Sequence, residues 1–135
     1  MLASVLALIG LTFFVLLALY LVRTPSAIRR AGLDIGTIKR KDEFAVLPPR
    51  ATWVSDNYLN LHEQPVVFYA LAFYCQLAGT ADATNVRLAW GYVALRCVHS
   101  FVQCTFNYLP LRTLAFTAGS LLLATIAIRC AFALL

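Results

Sequence analysis

Residues 2–22 read LASVLALIGLTFFVLLALYLV, a run without a single charged side chain. A membrane-spanning helix needs about 20 consecutive apolar residues. The run is too long for the apolar part of a signal peptide, and no basic residues precede it. We therefore predict a retained transmembrane helix, which ends where Arg23 and Pro25 follow.

The rest of the chain continues this apolar pattern. Of its 135 residues, 61% are hydrophobic and 13% are charged, which leaves too little polar surface for a soluble domain of this size. The predicted fold class is an all-α membrane protein, a four-transmembrane-helix bundle. The chain forms one membrane domain, 1–135, with predicted spans at about 2–22, 60–79, 87–108 and 111–134.

A predicted basic loop over residues 23–58 separates the first two spans. The net charge is +5, and most of the Lys and Arg residues lie between Arg23 and Arg50. Because basic residues concentrate beside spans on the cytoplasmic side, this charge indicates a membrane topology and argues against nucleic-acid binding. The loop and the Pro110 turn are predicted to be cytoplasmic, with both termini and the turn near Asp82 on the other side.

The helix of the second span is expected to begin ahead of the span itself. Ser55 or Asp56 can cap a helix N-terminus, so we predict the start near these two residues. Pro65 then falls inside the helix, where proline removes a backbone hydrogen bond and produces a kink.

The four cysteines are Cys75, Cys97, Cys104 and Cys130, and each lies in an apolar segment. No two of them form a CxxC pair. We interpret them as small packing residues, and we predict neither a disulfide framework nor a metal site.

The third predicted span carries a polar face. Its members are spaced i, i+3, i+4, i+7 and i+11, which places them within an arc of about 100° on a helix. An arginine near the bilayer centre costs about 3 kcal/mol, so such residues turn toward a cavity or a partner helix. We interpret the face as a ligand site; the alternative is a hydrogen-bonded seam with its arginine paired to a carboxylate. This polar face consists of Arg96, His99, Ser100, Gln103 and Asn107.

Three further residues extend this site. Asn60 and Glu63 are i, i+3 neighbours at the start of the second span, and Glu63 offers a carboxylate to an arginine or to a ligand ammonium. Arg112 follows the Pro110 turn, and its permanently charged guanidinium suits a carboxylate or a thiolate. The plainer alternatives are a solvated helix end for Glu63 and a cytoplasmic anchor for Arg112.

Taken in chain order, these residues resemble the MAPEG family, the membrane-associated proteins of eicosanoid and glutathione metabolism. The resemblance covers the whole chain, and the block NLHEQPVVFY at 60–69 looks like the bacterial branch. It rests on Asn60-x-x-Glu63 followed by Pro65, on Arg96-x-x-His99 and on Pro110-x-Arg112.

The resemblance implies a homotrimer that binds glutathione between protomers, near the cytoplasmic face. It implies a membrane-bound glutathione-dependent transferase or peroxidase that acts on lipophilic electrophiles, here in a bacterial plasma membrane. Arg112 is the implied catalytic residue, which stabilises the thiolate. The residues expected to bind glutathione are Asn60, Glu63, Arg96, His99, Gln103 and Asn107.

Two other functions stay open. Asp56 stands where several MAPEG members carry a glutathione-binding arginine, and Gln103 stands where they carry a tyrosine. Both departures favour a non-catalytic membrane protein of the same fold, which binds a lipid headgroup or forms a structural seam. A small four-span exporter is less favoured, because residues 2–22 lack the carboxylate that such proteins use in the first span.

Overall fold

The structure, a computed structural model, describes residues 1–24, 28, 32, 36 and 47–133. The greater part of the predicted cytoplasmic loop lies outside these residues. Every regular element within them is an α-helix. The helices are α1 (Leu2–Val22), α2 (Pro49–Asn60), α3 (Gln64–Leu77), α4 (Ala83–Thr105) and α5 (Leu109–Phe132).

Helix α2 begins at Pro49, well before the predicted end of the loop at residue 58. Pro48 is extended, with φ −51° and ψ 144°, and Pro49 opens the helix. The first helical position needs no backbone N–H, and the fixed φ of proline suits it. The N-terminus predicted near Ser55 or Asp56 is therefore wrong, because both residues lie inside α2.

The chain breaks between α2 and α3, at the start of the second predicted span. His62 donates its backbone N–H to the Leu59 carbonyl at 2.8 Å, which closes a turn after α2. Glu63 then serves as the N-cap of α3, and Pro65 occupies the first turn. The kink predicted at Pro65 is thus a complete break in the helix, placed so that proline's missing N–H removes no helical hydrogen bond.

Asp82 is the N-cap of α4, and its carboxylate accepts a hydrogen bond from the backbone N–H of Asn85 at 2.7 Å. The helix ends at Thr105, so Asn107 lies beyond it with a positive φ of 48°. Asparagine tolerates this left-handed conformation better than most residues. The prediction that Asn107 continues the helical polar face is therefore wrong.

Helix α4 packs most extensively against α5. A Cβ at Gly91 would lie 3.0 Å from the Leu122 side chain, and one at Gly119 would lie 3.5 Å from the Tyr92 ring. Small residues of this kind allow close helix approach in a membrane. The Tyr92 ring stacks on Phe68 of α3, with centroids 4.8 Å apart, and so joins three helices in the core.

The outer surface of the bundle is apolar. Among the described helices, α1 and α5 are long and apolar enough to cross a bilayer. Because soluble proteins rarely expose a continuous apolar surface of this kind, we assign it to lipid contact. The predicted fold class, an all-α membrane bundle, is confirmed. Exposed apolar side chains include Leu6, Phe13, Phe14, Leu17, Leu21, Leu114 and Leu121.

Candidate functional site

Four of the five residues of the predicted polar face point into the bundle. Arg96, His99, Ser100 and Gln103 are each at most 3% exposed. The hydrogen bonds of Gln103, Arg96 and His99 reach α2, α3 and α5, respectively. The face therefore turns inward, as polar groups in a membrane span must.

Arg96 lies at the centre of this region and is held on two sides. Its Nε donates to the Tyr92 hydroxyl at 3.0 Å, and its Nη2 donates to Oε1 of Gln64. The guanidinium also lies over two aromatic rings, 5.4 Å from the centroid of Tyr92 and 4.9 Å from that of Phe116. Such rings attract a cation through their negative faces.

The third nitrogen of Arg96, Nη1, is buried without a hydrogen-bond partner. Among the described residues, no Asp or Glu forms an ion pair with this guanidinium. The described residues therefore do not contain the seam alternative, in which Arg96 is paired with a carboxylate. A buried cation that lacks both a counter-charge and one hydrogen bond is poised to bind an anion.

Gln64 connects Arg96 to α5. Its amide nitrogen donates to the Ser120 hydroxyl at 2.5 Å, and Ser120 donates to the Phe116 carbonyl at 2.9 Å. The residues Arg96, Gln64, Tyr92, Phe116 and Ser120 thus form one contact group across α3, α4 and α5, which we name the Arg96 cluster. Because each hydrogen bond fixes the next side chain, the guanidinium is held in one orientation.

A second group lies one turn along α4. His99 Nε2 is 3.0 Å from Oε1 of Gln103, and the same oxygen accepts a hydrogen bond from Nδ2 of Asn60 at 3.1 Å. His99 Nδ1 lies 3.0 Å from the backbone carbonyl of Arg112. The contacts bring together four of the predicted site residues from α2, α4 and α5.

The contacts of His99 restrict where its protons lie. The Arg112 carbonyl accepts only, so Nδ1 carries a proton. Nε2 then either carries a second proton, which it donates to Gln103, or accepts one from Gln103 when the amides of both Gln103 and Asn60 are turned about their axes. In both arrangements the imidazole is fixed by its two neighbours.

Arg112 lies in the first turn of α5, and its side chain is half-buried. Its Nη1 donates to Oδ1 of Asn107 at 2.6 Å. The left-handed backbone conformation of Asn107 directs its side-chain amide toward α5, where Arg112 lies. Arg112 contacts His99 through its backbone carbonyl, while its guanidinium contacts Asn107.

Glu63 is exposed, and among the described residues it forms no ion pair with Arg96. Within the described residues, Arg96 donates a hydrogen bond to the neutral side chain of Gln64 and not to Glu63, the carboxylate suggested by the sequence. The break between α2 and α3 explains this difference, because it ends one helix before Glu63 and directs the following side chain inward. Ligand contact by Glu63 stays a prediction.

An apolar groove of about 600 Å³ lies between α1 and α4. Phe14 and Leu21 line one wall, and Ser100 and Phe101 line the other. Ser100 carries a buried hydroxyl without a hydrogen-bond partner, one helical turn from Arg96. This groove, which we name the α1–α4 groove, is therefore lined by a buried residue one helical turn from Arg96.

Several contributing residues were not identified from the sequence. Tyr92 lies four residues before Arg96, so extending the polar face by one turn would have included it. Gln64 lies inside the block 60–69, but the charge of the neighbouring Glu63 made Glu63 the more obvious partner for an arginine. Asn57 is fully buried and donates to the Cys104 sulfur at 3.3 Å, while its Oδ1 has no partner.

A family model described as the MAPEG family matches residues 1–132. No curated protein and no solved structure matches the chain significantly.

Proposed function

This chain belongs to the MAPEG family, and from that premise we propose that it is a membrane-bound glutathione-dependent transferase or peroxidase acting on lipophilic electrophiles. The family consists in general of membrane proteins related to glutathione chemistry. The proposal for this chain rests on one observation. Arg96 is a buried cation with an unpartnered nitrogen and no described carboxylate beside it.

The charge of Arg96 favours an anionic ligand. An unpaired cation inside a bilayer is costly, and an anion that binds it removes much of that cost. Glutathione carries two carboxylates, and a guanidinium binds a carboxylate through two parallel hydrogen bonds. The buried Nη1 is the donor that this ligand would satisfy.

Arg112 is the residue we assign to the reacting sulfur. Bound glutathione supplies a nucleophilic thiol. A free cysteine-type thiol has a pKa of about 8.5, and a neighbouring guanidinium lowers it. Arg112 stays charged at every relevant pH, and Asn107 holds it at the start of α5. Asn60, His99 and Gln103 form the hydrogen-bonded wall beside it.

The α1–α4 groove supports the lipophilic part of the proposal. Its walls are apolar, and its volume of about 600 Å³ is typical of a small-molecule site. Helix α1 faces lipid on its other positions, so an apolar substrate can enter from the bilayer. The protein then contributes proximity and electrostatic stabilisation instead of a nucleophile of its own.

The cellular setting follows from the family resemblance and the charge pattern. We propose a multi-pass protein of a bacterial plasma membrane, with the basic loop and Arg112 on the cytoplasmic side. We also propose a homotrimer, in which the exposed Glu63 faces a neighbouring protomer. Chemical crosslinking in native membranes tests the trimer.

The experiment that tests the catalytic assignment is Arg112→Ala. We expect the variant to lose the ultraviolet absorbance of enzyme-bound thiolate at neutral pH, with activity reduced at least tenfold. Arg87→Ala is the matched control, because Arg87 is an exposed arginine on α4. Thiolate absorbance that persists in Arg112→Ala would refute the role.

A second candidate function is a non-catalytic member of the same fold. It is favoured by the contacts of His99, Gln103 and Asn60, which satisfy one another as a structural seam would. In this case purified protein binds a lipid headgroup or a partner, and titration with glutathione shows no saturable binding.

A further inference from the structure

Two cysteine thiols meet at the end of the bundle opposite Arg112. The Sγ atoms of Cys75, in α3, and Cys130, in α5, lie 2.8 Å apart. Both residues are at most 3% exposed. We propose that this pair is a reversible disulfide site, which joins α3 covalently to α5 under oxidising conditions.

The C-terminal turn of α3 fixes the first thiol. Gly79 follows the helix with a φ of +70°, and the Thr80 N–H donates to the Cys75 carbonyl at 2.9 Å. This is the turn by which a glycine in the left-handed conformation closes a helix end. It also carries the Thr80 hydroxyl to 3.6 Å from the Cys130 sulfur, so that Thr80 covers the pair.

The neighbouring residues fix the second thiol. Arg129 precedes Cys130 and forms an ion pair with Asp82, at 2.6 Å, and a hydrogen bond to Oδ1 of Asn85, at 2.7 Å. Asn85 in turn donates to the Thr80 carbonyl at 2.7 Å. The end of α5 is thus tied to the turn after α3, which holds the two sulfurs together.

The separation of the sulfurs favours a disulfide over a metal site. Zinc–sulfur bonds are about 2.3 Å long, so two thiolates on one tetrahedral ion lie about 3.8 Å apart. The observed sulfurs are closer than that. No third metal-ligating side chain joins them in the part of the chain that is described.

The chemistry balances with a small disulfide as the oxidant. The thiolate of one cysteine attacks that disulfide and displaces one small thiol. The second cysteine attacks the mixed disulfide, which forms the Cys75–Cys130 bond and releases the other small thiol. Two electrons and the two thiol protons pass to the oxidant. Because Arg112 lies about 27 Å away along α5, this proposal is independent of the proposed function.

The test is thiol counting on the purified full-length protein. The protein is treated with diamide, a diazene that accepts the same two hydrogens, then denatured and labelled with a maleimide-polyethylene glycol. We expect four labels on the reduced chain and two after oxidation, with all four restored by dithiothreitol. Peptide mass mapping should assign the lost labels to Cys75 and Cys130.

Matched variants separate this pair from the other cysteines. Cys97→Ser/Cys104→Ser should fall from two labels to none on oxidation, while Cys75→Ser/Cys130→Ser should keep both. Should that second variant fail to fold, mass mapping of the native chain alone decides the question. Loss of label at Cys97 or Cys104, a disulfide between two chains, or no loss at all would overturn the proposal.

Discussion

Two arginines of the bundle differ in how they are neutralised. Arg129, near the end of α5, is 39% exposed and is paired with Asp82. Arg96, in the middle of α4, is 2% exposed and contacts only neutral groups among the described residues. Burial raises the free-energy cost of a charge without a counter-charge. The carboxylate partner is nevertheless found beside the exposed Arg129 and not beside the buried Arg96. This contrast indicates a structural role for Arg129 and supports the ligand-binding role that we propose for Arg96.

The largest expected effect comes from removing the buried charge. Arg96→Met keeps much of the side-chain length and takes away the guanidinium. A hydrogen bond to a charged group contributes about 1.5–3 kcal/mol, so affinity for glutathione should fall by at least about tenfold. Isothermal titration calorimetry measures this.

The same variant should remain folded, since exchanging a buried ion for an apolar side chain is often neutral for stability. Arg129→Met is the control and should bind glutathione as the native protein does. Equal affinity in all three proteins would remove the distinction between the two arginines.

A smaller effect on glutathione affinity is expected when Arg96 receives a carboxylate partner, as Arg129 has in Asp82. Gln64→Glu places a carboxylate where Gln64 now contacts the guanidinium. The new ion pair should compete with an anionic ligand and weaken glutathione binding by about tenfold. Gln64→Met, which adds no charge, is the matched control. Tighter binding in Gln64→Glu than in the control would contradict this reading of Arg96.

The smallest effect concerns Asp82. Its backbone hydrogen bond from Asn85, together with Arg129, holds the pKa of the Asp82 carboxyl below its ordinary value. A carboxyl with a lowered folded-state pKa stabilises the fold above its unfolded pKa of about 3.9, and the contribution disappears as the pH falls through the folded value.

The Asp82→Asn variant should therefore have a thermal midpoint at most about 5 °C below that of the native protein at pH 7. The difference should shrink below the ordinary Asp pKa and vanish once the pH is below the lowered folded-state pKa. Thermal unfolding in detergent across this pH range measures it. A difference that grows as the pH falls would show that another interaction is responsible.

The fold was largely predictable because apolar length is a strong signal. Residues 2–22 and the composition define the membrane bundle, and the spacing of Arg96, His99, Ser100 and Gln103 gives the inward face. Their partners were less predictable. Which of Glu63 and Gln64 meets Arg96 depends on the direction of the chain after the break between α2 and α3, and a local pattern does not fix that direction.

The start of α2 and the place of Asn107 were missed for local reasons. A Pro-Pro pair both ends and begins helices, and its second proline here opens one. The i, i+3, i+4 spacing also extends beyond the last residue of α4. It therefore assigns Asn107 to the polar face, although the helix ends before this residue. Only the backbone conformation separates these cases.

The central claim is that the guanidinium of Arg96, which has no carboxylate partner among the described residues, binds a carboxylate of glutathione. Its most direct test compares glutathione with its dimethyl ester in titrations of the native protein. We predict saturable binding of glutathione and at least about tenfold weaker binding of the ester, since the ester has lost the anionic groups. Equal affinity for the two compounds, or no saturable binding of glutathione, would contradict the claim.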